Sequence, residues 1–231
     1  LDLKALYRLC YGVSRCFHGR IGLGYDTRGS SRVLAGGVLS GLSYYGCDVT
    51  SFGVLPTPVV AFATRELGFE SGLSLTASHN PPEYSGVKVF DKEGMEVDSG
   101  LEERIEKDAV AYSKVGPVKV GRISYDYTAG SKYFGKIVST LPFTSKRLKV
   151  VVDCGNGATA NYTSRILSEL GHHVVMVNGH QSYSSLGRVL EPNADTLKET
   201  SNLVRETQAD LGIAHDGDGD RVVIIDEKGR V

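Results

Sequence analysis

The chain has 231 residues, of which 41% are hydrophobic, and a formal net charge of -1. That length suits one large domain or two small ones, each able to bury a real core. The balance of acids and bases lacks the basic stripe of a general nucleic-acid binder, no apolar run is long enough for a membrane-spanning helix, and no secretory signal precedes the first helix.

The four cysteines, Cys10, Cys16, Cys47 and Cys154, are scattered without a CxxC pair. They read as reduced thiols of a cytoplasmic protein, not as a disulfide frame or a zinc site. The sequence starts at Leu1 instead of Met and stops at Val231 just after a turn, so it reads as part of a longer protein.

Leu3, Leu6, Tyr7, Cys10, Val13 and Phe17 recur at helical spacing and predict an amphipathic first helix, ended at Gly19. A short strand follows over 21–25, then a loop over 26–31 whose serines are placed to cap the next helix. That helix runs to about Tyr45 and stops at Gly46. A strand over 48–52, a turn, and a helix over 59–67 with Pro58 in its first turn come next. Residues 72–75 and 86–90 read as two strands joined by a loop, and 91–94 (Asp-Lys-Glu-Gly) turn the chain back. A charged helix over 101–112 places Leu101, Ile105 and Val110 on one face. The stretch 115–127 is mixed and polar, 128–141 reads as a connecting helix, and 142–147 as a linker-like turn.

The second half repeats the first. Residues 149–158 are again a strand, an aspartate (Asp153) and a small-residue loop. A helix then ends at Gly171, as the earlier one ended at Gly46. A strand over 174–177, a variable stretch, a helix over 195–207 and a strand over 211–214 lead to an acidic loop. Beyond that loop comes a last strand, and Asp-Glu-Lys-Gly at 226–229 echoes the turn at 91–94. The expectation is an α/β protein of two repeated domains, 1–126 and 127–231, each a mixed β-sheet packed between helices, the second truncated at its C-terminal end. The loops after residues 75 and 215 hold the same place in each copy.

The first loop carries Ser78, His79 and Asn80 before Pro81 and Pro82, and Lys88 follows on the outgoing strand. Proline lacks a backbone donor and restricts the residue before it, so the loop is held rigid and extended, a setting in which reactive side chains are commonly carried. The plainer reading is local turn chemistry by Ser78 and Asn80. The second loop, 216–221, alternates Asp216, Asp218 and Asp220 with glycines and ends in Arg221. Glycine lets the backbone fold tightly, and three converging carboxylates repel unless a cation neutralises them. Hard oxygen ligands select Mg²⁺ or Ca²⁺. An EF-hand fits the three aspartates and Glu227, but its required glycine position holds Arg221 and the flanks are β-rich. His215, beside Asp216, is left between a structural and a site role.

The 76–90 stretch and the Asp216–Arg221 loop, in this order on repeated α/β units, resemble the alpha-D-phosphohexomutase superfamily, and within it the phosphomannomutase/phosphoglucomutase branch. The resemblance covers nearly all of this chain but only the first two domains of such an enzyme. It implies a phosphoserine at Ser78 and Mg²⁺ held by Asp216, Asp218, Asp220 and that phosphoserine. It also implies acid/base help from Lys88 with His79 close by, and Arg221 beside the phosphate. The implied reaction moves a phosphoryl group between the 1- and 6-positions of a hexose phosphate, mannose or glucose, through a hexose 1,6-bisphosphate that also serves as activator. Phosphoglucosamine mutase, a phosphatase using Ser78, and a metal- and phosphate-binding fragment without turnover are the alternatives. The family's opening arginine segment and its two later domains lie outside this sequence, and Ser85 stands where asparagine is common. Lys88, Arg221 and Arg28 are the cations available to offset the excess negative charge.

Overall fold

The computed structural model describes residues 2–81, 83–112, 119–142, 146–182 and 187–231. Parts of the polar stretch after 112 and of the turn around 143 therefore lie outside the described residues. The chain divides into two compact units. One comprises Leu1–Tyr25, Gly29–Thr76 and Glu83–Gly130, the other Asp26–Arg28, Ala77–Pro82 and Ser131–Val231.

The first unit holds α1 (Leu3–Cys16), β1 (Arg20–Tyr25), α2 (Gly29–Tyr44), β2 (Asp48–Val54), α3 (Thr57–Glu66), β3 (Ser71–Leu75), β4 (Val87–Phe90), α4 (Ser99–Val110) and β5 (Ile123–Tyr125). Its sheet has the order β4-β3-β1-β2-β5, parallel except for the antiparallel β3–β4 pair. The sequence of β1 explains the layering, because successive side chains of a strand point to opposite faces. Ile21 and Leu23 join Leu6, Val13, Leu42, Leu73 and Ile105 in one core with α1, α2 and α4. Gly22 and Gly24 face the other way, where a β-carbon would meet the Phe52 ring and Val60 of α3.

The closest approach on that second face is at Gly72 of β3, where a β-carbon would lie 1.9 Å from Thr64 Oγ1 of α3. The Thr64 hydroxyl is itself donated to Val60 O at 2.8 Å, so it has nowhere to retreat. Gly72→Ala is therefore expected to destabilise the protein by about 1–3 kcal/mol through overpacking. A urea titration reads this as a lower midpoint, partly recovered when Thr64→Ala is added.

α5 (Ala129–Thr140) begins in the first unit and ends in the second. The second unit contains β6 (Lys149–Asp153), a 3₁₀ turn (Ala158–Asn161), α6 (Thr163–Glu169), β7 (His173–Val177), α7 (Lys198–Glu206), β8 (Leu211–His215) and β9 (Val222–Ile225). Its order, β7-β6-β8-β9, is that of β2-β1-β3-β4, with the same single antiparallel pair at the end. Val151 packs with Leu197 and Val204 of the α7 side, while Val150 and Val152 pack with Ala160 and Leu167 of the α6 side. Gly212 repeats the device of Gly72, a β-carbon there lying 2.8 Å from Val204.

The repeat extends to hydrogen bonds. In both closing turns a glycine with φ of +74° donates to an aspartate carbonyl, Gly94 to Asp91 at 3.0 Å and Gly229 to Asp226 at 2.9 Å. In both, that aspartate's Oδ1 accepts from the N–H two and four residues on. Two α/β units with a mixed sheet between helices are thus what the chain forms. Among the described residues no helix is long and apolar enough to cross a membrane.

Four local expectations need correction. β5 lies within the stretch read as mixed and polar. Its three residues are all exposed, so it has no alternation to detect, and parallel hydrogen bonding to β2 alone defines it. Val110 is 82% exposed: five residues from Ile105 is about 140° around a helix, off the buried face. Ser30 and Ser31 fall inside α2, which already begins at Gly29. α7 begins at Lys198, not 195, because the Asn193 carboxamide and the Thr196 hydroxyl bind the intervening backbone into a local turn.

Candidate functional site

Both reactive loops leave the C-terminal end of a parallel strand beside the central strand of its sheet, β3 beside β1 and β8 beside β6. Open α/β sheets bind ligands at such ends. Residues 77–82 and 26–28 belong to the same compact unit as the acidic loop.

Ser78 Oγ donates to Asp216 Oδ2 at 2.5 Å. Arg221 joins the two: its Nη2 donates to Ser78 Oγ and its Nε to Asp216 Oδ2, each at 3.3 Å. His79 Nδ1 lies 3.5 Å from Ser78 Oγ. Glu191, which sequence reading did not single out, ties the rim together. Its Oε2 is 3.3 Å from Arg221 Nη2 and 3.7 Å from His79 Nε2. A lone glutamate in a variable stretch gives no signal of this in the sequence.

Ser78 has φ of +51°, in the left-handed region that non-glycine residues rarely occupy. Such a conformation costs about 1–3 kcal/mol and persists only where the surroundings impose it. Arg28 is one such constraint. It is 3% exposed, and its guanidinium donates to Ser78 O at 2.7 Å, Asn80 O at 2.8 Å and Pro81 O at 2.7 Å. Arg28 was expected among the charge-offsetting cations; the structure instead sets these donors on loop carbonyls. Gly217 is another constraint, since a β-carbon there would lie 2.9 Å from Ser78 O and 2.7 Å from Leu190.

Within the acidic loop Asp216 Oδ1 accepts from the N–H groups of Gly219 at 3.1 Å and Arg221 at 3.2 Å, with Gly219 at φ of +73° allowing the tight return. Asp216 and Asp218 have no solvent exposure and Asp220 has some. One carboxylate oxygen from each lies within 4.8 Å of the others. Burial first, then the charges on Asp218 and Asp220, push the Asp216 carboxyl up to about 6, against the opposing hydrogen bond from Ser78. Three crowded oxygen donors, two of them buried, fit a hard divalent cation. His215 packs away from this cluster, its Nε2 2.9 Å from Thr163 Oγ1, and burial holds its pKa down. Lys88 lies in the first unit, on β4 opposite Ser74.

The raised Asp216 pKa has a definite sign. The folded carboxyl holds its proton from about 3.8 up to about 6, so this group makes the metal-free fold less stable as pH rises across that window. A cation needs the ionised form. Mg²⁺ affinity is therefore expected to fall as pH drops below about 6, and the thermal stabilisation by Mg²⁺ to be larger at pH 7.5 than at pH 5. A pair of melting curves at each pH checks this.

The class defined so far is a repeated α/β protein with a strained serine set against an acidic loop. "Phosphoglucomutase/phosphomannomutase, alpha/beta/alpha domain I" matches residues 3–115, and domain II of the same family matches residues 126–229. The chain belongs to the phosphoglucomutase/phosphomannomutase family. It is 37% identical over 237 aligned residues to a phosphoglucosamine mutase of Methanococcus maripaludis, an alignment covering 100% of this chain and 52% of that protein. It is 39% identical to a probable phosphoglucosamine mutase of Methanopyrus kandleri, covering 92% of this chain and 47% of that one. A putative phosphomannomutase structure from Thermus thermophilus superposes with a TM-score of 0.85 at 26% identity, covering 99% of this chain and 54% of that one. The chain spans about half the length of the curated relatives it matches.

Proposed function

We propose that this chain forms the phosphoserine- and metal-bearing domains of a phosphohexomutase, divided as 1–126 and 127–231, and that the sugar is glucosamine phosphate. The observation that carries the reaction type is the Ser78 hydroxyl held 2.5 Å from Asp216, with Asp218 and Asp220 beside it. For the sugar, the support is the name phosphoglucosamine mutase on curated relatives 37–39% identical to this chain. Those relatives favour this sugar over the mannose or glucose phosphate first expected.

Ser78 is the phosphoryl carrier and the partner of a hexose 1,6-bisphosphate intermediate. Asp216, Asp218, Asp220 and Ser78 would hold Mg²⁺, which when bound supplies charge neutralisation at the transferring phosphoryl group. Arg221 adds a charge-assisted donor at Ser78 Oγ, where phosphate charge of about -1.5 to -2 resides once the serine is phosphorylated. His79 Nδ1 lies within reach of the same oxygen, and Glu191 pairs with Arg221. Lys88 is assigned the acid/base role that the family resemblance implies for the lysine after the serine loop. Four free cysteines, three of them buried, suit a reducing cytoplasm.

A coupled assay on the full-length protein that carries this chain tests the reading. Turnover of glucosamine phosphate should exceed that of mannose and glucose phosphates, with a bisphosphate activator present. Preference for mannose or glucose phosphate overturns the sugar assignment, and net release of inorganic phosphate in place of isomerisation makes the protein a phosphatase.

A further inference from the structure

Two buried Asp–Arg pairs recur at matching places in the repeat. Asp26 follows directly on β1 and Asp153 ends β6, and these strands hold the same place in their sheets. Arg28 Nε lies 3.0 Å from Asp26 Oδ2, and Arg188 Nε lies 3.0 Å from Asp153 Oδ2. Side-chain exposure is 2% and 2% in the first pair, 8% and 0% in the second.

What each guanidinium does with its other N–H groups is the telling part. Arg28 donates to the carbonyls of Ser78, Asn80 and Pro81. Arg188 donates from Nη2 to His215 O, the residue before Asp216, at 2.5 Å, and from Nη1 to Val189 O at 2.9 Å. One pair therefore grips the serine loop and the other the start of the acidic loop. A guanidinium fixed at Nε by a carboxylate presents its remaining N–H groups in set directions, which a flexible ammonium cannot do.

Asp153 is held by a full set of donors. Thr200 Oγ1 donates to Asp153 Oδ2 at 2.5 Å, and Asn178 Nδ2 and Gly155 N donate to Oδ1 at 3.1 and 2.9 Å. Burial alone raises the Asp153 pKa, but Arg188 and these three donors together bring it below the usual carboxylate value. Asp26 Oδ1 accepts the Arg28 backbone N–H at 3.0 Å.

We propose that Arg28 and Arg188 are positioning residues, each locked by the aspartate at the end of a central strand, Arg28 setting the backbone of the Ser78 loop and Arg188 that of the Asp216 loop. This rests on the reading of Ser78 as phosphoryl carrier and of the three aspartates as a Mg²⁺ site.

The test for Arg188 is calorimetric titration of the 231-residue chain with Mg²⁺. A residue acting only as a nearby cation opposes metal binding. On that account Arg188→Lys leaves Mg²⁺ affinity unchanged, and the paired variant Asp153→Asn with Arg188→Gln, which leaves no buried charge unmatched, leaves it unchanged or tighter. A strut predicts the opposite sign: both variants bind Mg²⁺ about tenfold or more weakly, the range for losing an outer support of a metal site. Arg188→Lys should lower the metal-free melting temperature, because buried acceptors lose their donors, yet stay folded at the temperature of the titration. For Arg28, the full-length protein with Arg28→Lys should lose kcat while keeping KM, because the carrier and not the substrate grip is displaced. Unchanged Mg²⁺ affinity in both Arg188 variants, or a change in KM alone for Arg28→Lys, overturns the proposal. No Mg²⁺ binding by the unaltered chain overturns the metal-site reading itself.

Discussion

Replacing Ser78 with alanine should remove mutase turnover by at least about a thousandfold, because a covalent carrier has no substitute at the site. The hydroxyl is the atom that Asp216, Arg221 and His79 converge on. Its loss takes away the phosphoryl acceptor while the loop backbone keeps its Arg28 bonds to Ser78 O, Asn80 O and Pro81 O. Folding is therefore expected to survive. The variant should melt within a few degrees of the parent and show no added phosphate by intact mass. The assay belongs in the full-length protein. A hexose phosphate must also be gripped at its distant phosphate and enclosed from water, and positioning of that kind supplies roughly 7–11 kcal/mol of a barrier. The 231-residue chain alone is accordingly expected to bind Mg²⁺ without turning over hexose phosphates.

The second large effect is at Asp218, which is fully buried beside Asp216. Its charge helps push Asp216 up to about 6, so Asp218→Asn relieves repulsion in the metal-free protein. The apo melting temperature should hold or rise. The response to Mg²⁺ should move the other way, since an amide is a neutral and weaker ligand than a carboxylate. A ligand at a hundred times its Kd stabilises the fold by about 2.7 kcal/mol, and a tenfold loss of affinity removes about 1.3 kcal/mol of that. Opposite signs for the apo and Mg²⁺ melting curves separate loss of a ligand from simple damage. An unaltered Mg²⁺ response in Asp218→Asn would show that the aspartates are not the site.

Much of this was legible in the sequence because the same grammar is written twice. The Asp-Lys-Glu-Gly and Asp-Glu-Lys-Gly turns, the helix-ending Gly46 and Gly171, and the two strand–loop–strand units mark equivalent positions, and the two sheets share their order. Ser78 and the acidic triplet stood out because their residue types are unusual for loops that merely turn. Glu191 and Arg188 did not, because their roles depend on which distant groups the fold brings near: Glu191 acts across the chain on His79 and Arg221, and Arg188 on Asp153 and His215 O. Arg28 was read only as a nearby cation, since burial is what shows that its guanidinium also serves the carbonyls of the serine loop. β5 was missed because three exposed residues carry no periodicity.

Ser78 is expected to carry the phosphoryl group beside a Mg²⁺-binding triplet. The most direct test is phosphopeptide mapping of the full-length protein after incubation with Mg²⁺ and a hexose 1,6-bisphosphate. One added phosphate is expected, on the peptide containing Ser78, lost on addition of excess hexose monophosphate and absent when Mg²⁺ is chelated throughout. Phosphate on any other residue, or full turnover with Ser78 unmodified, would contradict that assignment.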